Sequence, residues 1–357
     1  MTKIEVTCSK PLGRFMVAAG LALGSMGMSG AAAAADVPNF GDVTLIVSSS
    51  PGGGTDIVAR LLGDTLAKHL PGKPNTIYRH IPGAGGIASL NHFYSQAKPD
   101  GRTYYIGAGN QLNPVNLRSN KVTYDPKQLK IIGAFVNPSS FLVLRPDAKD
   151  RLTKLGAQRV HMAAVDGTRS GEQIPIWGAE ALKWNMRLIF GYRGTAAMNL
   201  AFQRGEVDMM TNNNLDIIKP LIERGEAIFV TQTGMLSHGK VVPSEVFPNV
   251  PIFASLVEGK IEGQAKAAFA LWQRSAQIGK WFALPPKTPE ALVKVYRAAF
   301  KRAAADTKFK KTTRTRVSSD FKEMTVTDME RLINDMAGAN DDALKFLAEI
   351  REKYRKK

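Results

Sequence analysis

The stretch Val43-Thr-Leu-Ile-Val-Ser-Ser-Ser-Pro-Gly-Gly-Gly-Thr-Asp56 decides how this chain is read. An apolar strand runs into three consecutive glycines, and Thr55-Asp56 then opens an amphipathic helix, expected over 57–70. Glycine permits positive φ and close approach to the backbone. A helix N-terminus presents unpaired N–H groups and the positive end of the helix dipole. Together they form a cradle for a carboxylate or another anion, with no reactive side chain required.

A second turn of the same kind follows. Residues 76–81 read as a strand, Pro82-Gly-Ala-Gly-Gly86 as a turn, and 87–97 as a helix. Two such turns so close in the chain can grip one ligand from two sides. Beyond them strands and helices alternate, which points to an α/β fold with mainly parallel sheets. In the middle of the chain Val160 to Val165 runs into Asp166-Gly-Thr-Arg-Ser-Gly171, and Arg187 to Phe190 into Gly191-Tyr-Arg-Gly194. Val207 to Met210 runs into Thr211-Asn-Asn-Asn214. Polar loops after strand ends are where open α/β sheets bind ligands. Arg169 and Arg193 lie nearest those ends, and each is either a carboxylate partner or an ordinary surface arginine. A long helix is expected from 290 to 305 and another from 328 to 354.

The 357 residues suffice for two domains, and 44% hydrophobic with 22% charged residues is a globular composition. The first 35 residues read as a secretory signal peptide. Lys3, Lys10 and Arg14 form a basic start, Phe15 to Met28 is apolar, and Ala31 to Ala35 supplies a small-residue cleavage site, with cleavage near Ala35. The lone cysteine, Cys8, falls before the apolar stretch, so the mature chain would carry neither disulfide nor thiol chemistry. A periplasmic location fits. The net charge is +17; residues 1–35 hold a net +2 of it, which leaves +15. Such charge attracts anions or an acidic surface. Nucleic acid is not the expected partner, since the chain is exported and aromatic residues are not interleaved with the basic clusters.

Competing motifs fare poorly. Gly83-Ala-Gly-Gly-Ile-Ala88 loosely matches a dinucleotide fingerprint, but Pro82 stiffens the turn and no acidic residue follows at a strand end. Pro51-Gly-Gly-Gly-Thr-Asp56 lacks the lysine of a phosphate loop. The five histidines show no metal-ligand spacing, so neither a metal nor a cofactor is expected. Ser48, Ser49 and Ser50 do not form a nucleophile elbow. An exported α/β hydrolase stays as the alternative, with no residue set singled out, as does a ligand-sensing module for a membrane signalling partner.

The residues converge on one family. The chain resembles the periplasmic solute-binding receptors of tripartite tricarboxylate transporters, the Bug family. The matching pieces are Pro51-Gly-Gly-Gly-Thr-Asp-Ile-Val-Ala-Arg60, Pro82-Gly-Ala-Gly-Gly86, Ala97-Lys-Pro-Asp-Gly-Arg-Thr103, Tyr124-Asp-Pro126, Gly191-Tyr-Arg-Gly194 with Gly205-Glu-Val-Asp208, and Leu284-Pro-Pro-Lys-Thr-Pro289, in the family's order. The resemblance implies a two-lobed, type II-like periplasmic-binding-protein fold with the ligand cleft between the lobes. Residues 36–140 with 231–357 would form lobe I, and 141–230 lobe II. It implies a non-enzymatic receptor, a monomer, that takes a small di- or tricarboxylate or aromatic acid and delivers it to membrane permease subunits. Gly53, Gly54, Thr55 and Asp56, with Ala84, Gly85 and Gly86, would hold the proximal carboxylate. Thr168, Ser170, Tyr192, Arg193, Thr195 and Asn212 would select the rest of the ligand. The chain departs from the family pattern at Arg79-His80-Ile81, Arg169, Gly191, Arg193 and Pro251-Ile-Phe-Ala-Ser255.

Overall fold

The computed structural model describes residues 39–355, apart from Asp166, Arg193, Gly194, His238 and Ser319. The expected signal peptide lies outside the described residues. The chain first lays down β1 (Asp42–Val47), α1 (Gly54–Ala67), β2 (Asn75–His80), α2 (Ile87–Gln96), β3 (Thr103–Ala108) and the short α3 (Pro114–Leu117). β4 (Lys130–Val136) and β5 (Phe141–Leu144) follow, then α4 (Lys149–Thr153), β6 (Val160–Ala163), α5 (Ser170–Ala181), β7 (Met186–Ile189) and α6 (Thr195–Gln203). Next come β8 (Met209–Asn212), α7 (Leu215–Glu223), β9 (Ile228–Gln232) and a small hairpin, β10 (Met235–Ser237) with β11 (Lys240–Val242). The chain closes with α8 (Phe253–Val257), α9 (Gly263–Ala276), β12 (Ile278–Leu284), α10 (Glu290–Ala305), α11 (Thr307–Arg316), β13 (Glu323–Met324), α12 (Val326–Ala337) and α13 (Asp341–Arg355).

These strands form two sheets. The first has the order β13-β4-β12-β3-β1-β2, with β1 parallel to β2 and β3 and with β12 antiparallel to β3 and β4. The second has the order β7-β6-β8-β5-β9, with β6 parallel to β7 and β8. The chain passes from the first sheet to the second between β4 and β5, at residues 137–140.

Near-continuous apolar runs bury both faces of the central strands. Phe135, Phe282, Phe300, Tyr104 and Tyr296 pack on one face of the first sheet under α1 and α10. Trp177 and Trp184 from the α5 region meet Phe253, Phe269 and Trp272 from α8 and α9; the Trp177 and Phe269 rings meet edge-on, 5.1 Å apart. α13 packs on α9 and α3 and also on α5 and β7, so it touches elements attached to both sheets. Lys353 Nζ reaches Glu180 Oε2 at 2.6 Å, and the Tyr354 hydroxyl donates to the same oxygen at 2.9 Å.

Several expected boundaries shift. α1 begins at Gly54 because the Asp56 carboxylate accepts the Gly52 N–H and closes the first turn. The helix expected over 328–354 is two helices. Gly338 ends the first, and the Asn340 side chain accepts from Asp342 N at 2.8 Å to start the second. The stretch that becomes α8 and α9 carries no expectation from the sequence.

Candidate functional site

β1 ends at Val47 and the chain turns through Ser48 to Gly53 into α1. Gly52 takes φ 78°, a left-handed geometry that suits glycine. Gly53 caps the helix without any side-chain hydrogen bond. The Ile57 N–H turns back to the Gly53 carbonyl at 3.0 Å, whereas the N–H groups of Gly54 and Thr55 have no acceptor among the described residues. Asp56 is 3% exposed. Its carboxylate accepts from Gly52 N at 2.8 Å and Arg60 Nε at 3.2 Å, and pairs with His80 Nε2 at 2.7 Å. Burial works to raise its pKa, but the hydrogen bonds from Gly52, His80 and Arg60 together hold it below the ordinary carboxylate value.

The second turn is built from unusual backbone. Gly83, Ala84, Gly85 and Gly86 take φ values of 136°, 47°, 64° and 92°. No residue with a side chain fits at Gly86, where a Cβ would stand 1.7 Å from Gln111 Nε2. Gln111, buried behind the turn, accepts from Ala108 N at 2.6 Å and donates to the Gly85 carbonyl at 3.1 Å. Asn110 Nδ2 donates to the same carbonyl. The carbonyl is thus drawn back toward β3, and the N–H groups of Ala84 and Gly85 have no acceptor among the described residues.

Across from these turns stand the loops of the second sheet. Glu172, in the first turn of α5, accepts from Val165 N at 2.9 Å and Gly167 N at 2.8 Å and so shapes the loop after β6. Arg169 sits 3.9 Å from Glu172 and donates to Thr195 Oγ1 at 3.1 Å. Asn212 donates to Asn199 Oδ1 at 2.9 Å and accepts from Asn214 N at 2.8 Å. Ser170 is held by Trp272 Nε1, which donates to its carbonyl at 3.2 Å.

All of this surrounds one cavity of about 1060 Å³. The starts of α1, α2, α5, α6 and α7 contribute Gly54, Gly86, Ser170, Thr195 and Asn214 to its lining. Five helices therefore aim N-termini at a shared space beyond the carboxyl ends of β1, β3, β6 and β8, the position that open α/β sheets use for ligands.

Gly53, Gly54, Thr55, Ala84, Gly85, Gly86, Thr168, Ser170, Thr195 and Asn212 line the cavity. Two expected contacts do not. Asp56 sits behind the first turn, because its carboxylate is engaged by Gly52, Arg60 and His80. Tyr192 leaves the loop after Gly191, at φ 99°, and packs on the apolar cluster of the second sheet with Phe202 and Met210. Arg193 lies outside the described residues. The sequence reading missed Asn110, Asn113, Asn137 and Lys280, which also line the cavity. Asn110 and Asn113 follow the carboxyl end of β3, the one signal that marks them.

No sequence-family model matches the chain, and no curated protein matches it. Solved structures do. MatC from Rhodopseudomonas palustris with bound malate is 19% identical, with a TM-score of 0.59 over 85% of this chain and 98% of MatC. The periplasmic binding protein BugD is 17% identical, with a TM-score of 0.61 over 87% and 97%. A TctC solute-binding protein from Polaromonas is 17% identical, with a TM-score of 0.63 over 87% and 98%. The chain has their fold. The two-lobed periplasmic-binding-protein architecture implied by the sequence resemblance is met, with one sheet the centre of each lobe, but the sheets are mixed and not mainly parallel, since β12 runs antiparallel to β3 and β4, and β5 antiparallel to β8 and β9. In this fold the cavity lined by the five helix starts lies between the sheets' loops.

Proposed function

We propose that this protein is a non-catalytic receptor that captures a small organic carboxylate in the cleft and delivers it to the permease subunits of a tripartite tricarboxylate-type transporter. One observation carries the reading. Unpaired backbone N–H groups at Gly54, Thr55, Ala84 and Gly85 converge with helix N-termini on a single cavity. Dipoles so arranged match a carboxylate, which needs hydrogen bonds to offset its desolvation. MatC was solved with malate bound, which supports a di- or tricarboxylate over a neutral solute; an aromatic acid is the further candidate.

Lobe I is built on the first sheet and lobe II on the second; the expected boundary at 230/231 moves past Gln232, because β9 runs to that residue and pairs with β5. Closure of one on the other would trap the ligand, as in hinged receptors generally. The chain works in the periplasm after cleavage near Ala35, as a monomer. The hydrolase alternative needs a base beside Ser48 or Ser49; among the described residues that line the cavity the candidates are Glu172, whose carboxylate accepts from the Val165 and Gly167 N–H groups, and Lys280, which bonds neither serine.

A thermal-shift panel of mono-, di- and tricarboxylates and aromatic acids tests the reading. A ligand that binds only the folded state raises the melting temperature by mass action. No shift from any member, with calorimetry equally silent, would sink it.

A further inference from the structure

β12 reads Ile278-Gly-Lys-Trp-Phe-Ala-Leu284, and Lys280 is its only charged residue. The other side chains of the strand are buried in the cores. What sets Lys280 apart is the pairing. Against β4, Ile278 faces Val136 and Trp281 faces Ala134, so Gly279 and Lys280 together oppose the single residue Phe135. This is a β-bulge, a device that re-aims a side chain and is common beside functional sites. Gly279 takes the crowded place in it: a Cβ there would stand 2.5 Å from the Phe135 carbonyl oxygen and 2.8 Å from Asn137 N. Trp281 Nε1 donates to the Ala108 carbonyl at 3.1 Å and pins the strand on its other side. Lys280 consequently lines the cavity instead of the core.

Its position relative to the glycine turns follows from the same pairing. Lys280 lies opposite Ala108 on β3, and Ala108 is bonded to Gln111, which braces the Gly85 carbonyl. The lysine therefore stands on the same wall as the second glycine turn. Arg169, at the start of α5, lines the same cavity, and its charge reaches Lys280. The charged residues that line the cavity, among those described, are Arg169, Glu172, Lys280 and Arg316. Glu172 is turned toward the N–H groups of its own loop and toward Arg169.

The Lys280 ammonium has no hydrogen-bond or ion-pair partner among the described residues. Burial, and then the Arg169 charge, push its pKa from 10.5 down to about 8. An unpaired cation partly withdrawn from water stabilises nothing by itself. Such a group is retained where something outside the fold supplies its counter-charge, and functional sites are where a chain carries features that work against stability.

We infer that Lys280 is the specificity-determining cation of this cavity, pairing, together with Arg169, with a second anionic group of the ligand beyond the carboxylate held at the glycine turns. The inference rests on the carboxylate-receptor reading above. Charge at a defined distance from the glycine turns then sets which ligands are accepted. A monoanion leaves the lysine unpaired, whereas a dianion of suitable length satisfies both ends.

The test is calorimetry on the mature chain with matched acids: succinate, glutarate and adipate beside butyrate, valerate and hexanoate. The same series is run on Lys280→Met and Lys280→Arg, each checked for an intact melting transition. The wild type should bind at least one diacid about tenfold or more tighter than its monoacid partner, as a desolvated charge pair permits. Lys280→Met should bring that ratio to near unity while monoacid affinity stays within about threefold. Lys280→Arg should keep most of the preference. Equal affinity for the two classes in the wild type, or an unchanged ratio in Lys280→Met, overturns the inference and leaves the receptor reading standing. Binding of neither class by the wild type also overturns the inference, and the receptor reading is then decided by the tricarboxylates and aromatic acids of the thermal-shift panel.

Discussion

His80 Nε2 stands 2.7 Å from Asp56 Oδ1 and ties the end of β2 to the first turn of α1, directly behind the first glycine turn. The same carboxylate holds the Gly52 N–H. One buried side chain thus sets the backbone that presents Gly54 and Thr55 to the cavity. Removing its charge should loosen that presentation. Asp56→Asn is expected to lose about 2 kcal/mol of stability near neutral pH, the usual scale for hydrogen bonds to a charged group. The pH dependence has a definite sign. The folded carboxyl is held below its ordinary 3.8, so its contribution is full above that value and is lost as pH falls through the lower folded value. Urea denaturation across the acid range should show a flatter profile for the variant; parallel profiles would contradict this role.

Gly54→Val offers a test of binding separate from folding. A Cβ at Gly54 meets nothing within 4 Å, so the protein accommodates it, but it projects where the ligand must approach the turn. The variant should melt within about a degree of the wild type, since surface changes rarely exceed ~0.5 kcal/mol. Its carboxylate affinity should fall by about tenfold or more, as expected when a charged hydrogen bond is lost. Unaltered affinity by calorimetry would remove the first glycine turn from the site.

Gly86→Ala should behave in the opposite way. The residue sits at φ 92°, and the added carbon would press on Gln111 Nε2. Stability should drop by about 1–3 kcal/mol from backbone strain alone. Chemical denaturation measures this directly. A variant as stable as the parent would show that the turn does not need its left-handed backbone.

Lys280→Met should stabilise the unliganded chain. The folded lysine loses its proton near pH 8 and the unfolded one near 10.5, so below about 8 both are charged and the folded state bears the cost. Stability of the parent should rise between those values, where the unfolded chain binds more protons. Arg169, Glu172 and Arg316 are the other charged groups facing the cavity and are common to both proteins. The gain at about pH 7 should be on the order of 2 kcal/mol and should shrink as pH climbs. A destabilised Lys280→Met at every pH would mean that the lysine packs more than it repels.

The parts of the site legible in the sequence are those whose chemistry lies along the chain. Three glycines followed by Thr55-Asp56 already describe a strand, a tight turn and a helix start, and the second turn repeats the logic. Asp56 was misplaced because neither its contact with His80 nor its distance from the cavity can be read from spacing. Tyr192 follows a glycine in a polar loop, yet its ring finds an apolar cluster that only the folded second sheet creates. Lys280 was invisible for a related reason. A bulge is a property of two paired strands, and a lone lysine in an apolar run shows nothing of its partner strand's count.

The extra residue in β12 has an evolutionary consequence. Loss of one codon between Ile278 and Trp281 would erase the bulge and the cation together, but β4 carries an offsetting extra residue, Ile132, between the partners of Phe282 and Ala283, and the ladder beyond it would then fall out of step. The two irregularities hold each other in place, so a deletion on either strand alone is disfavoured and the charge at position 280 is open to change by substitution instead.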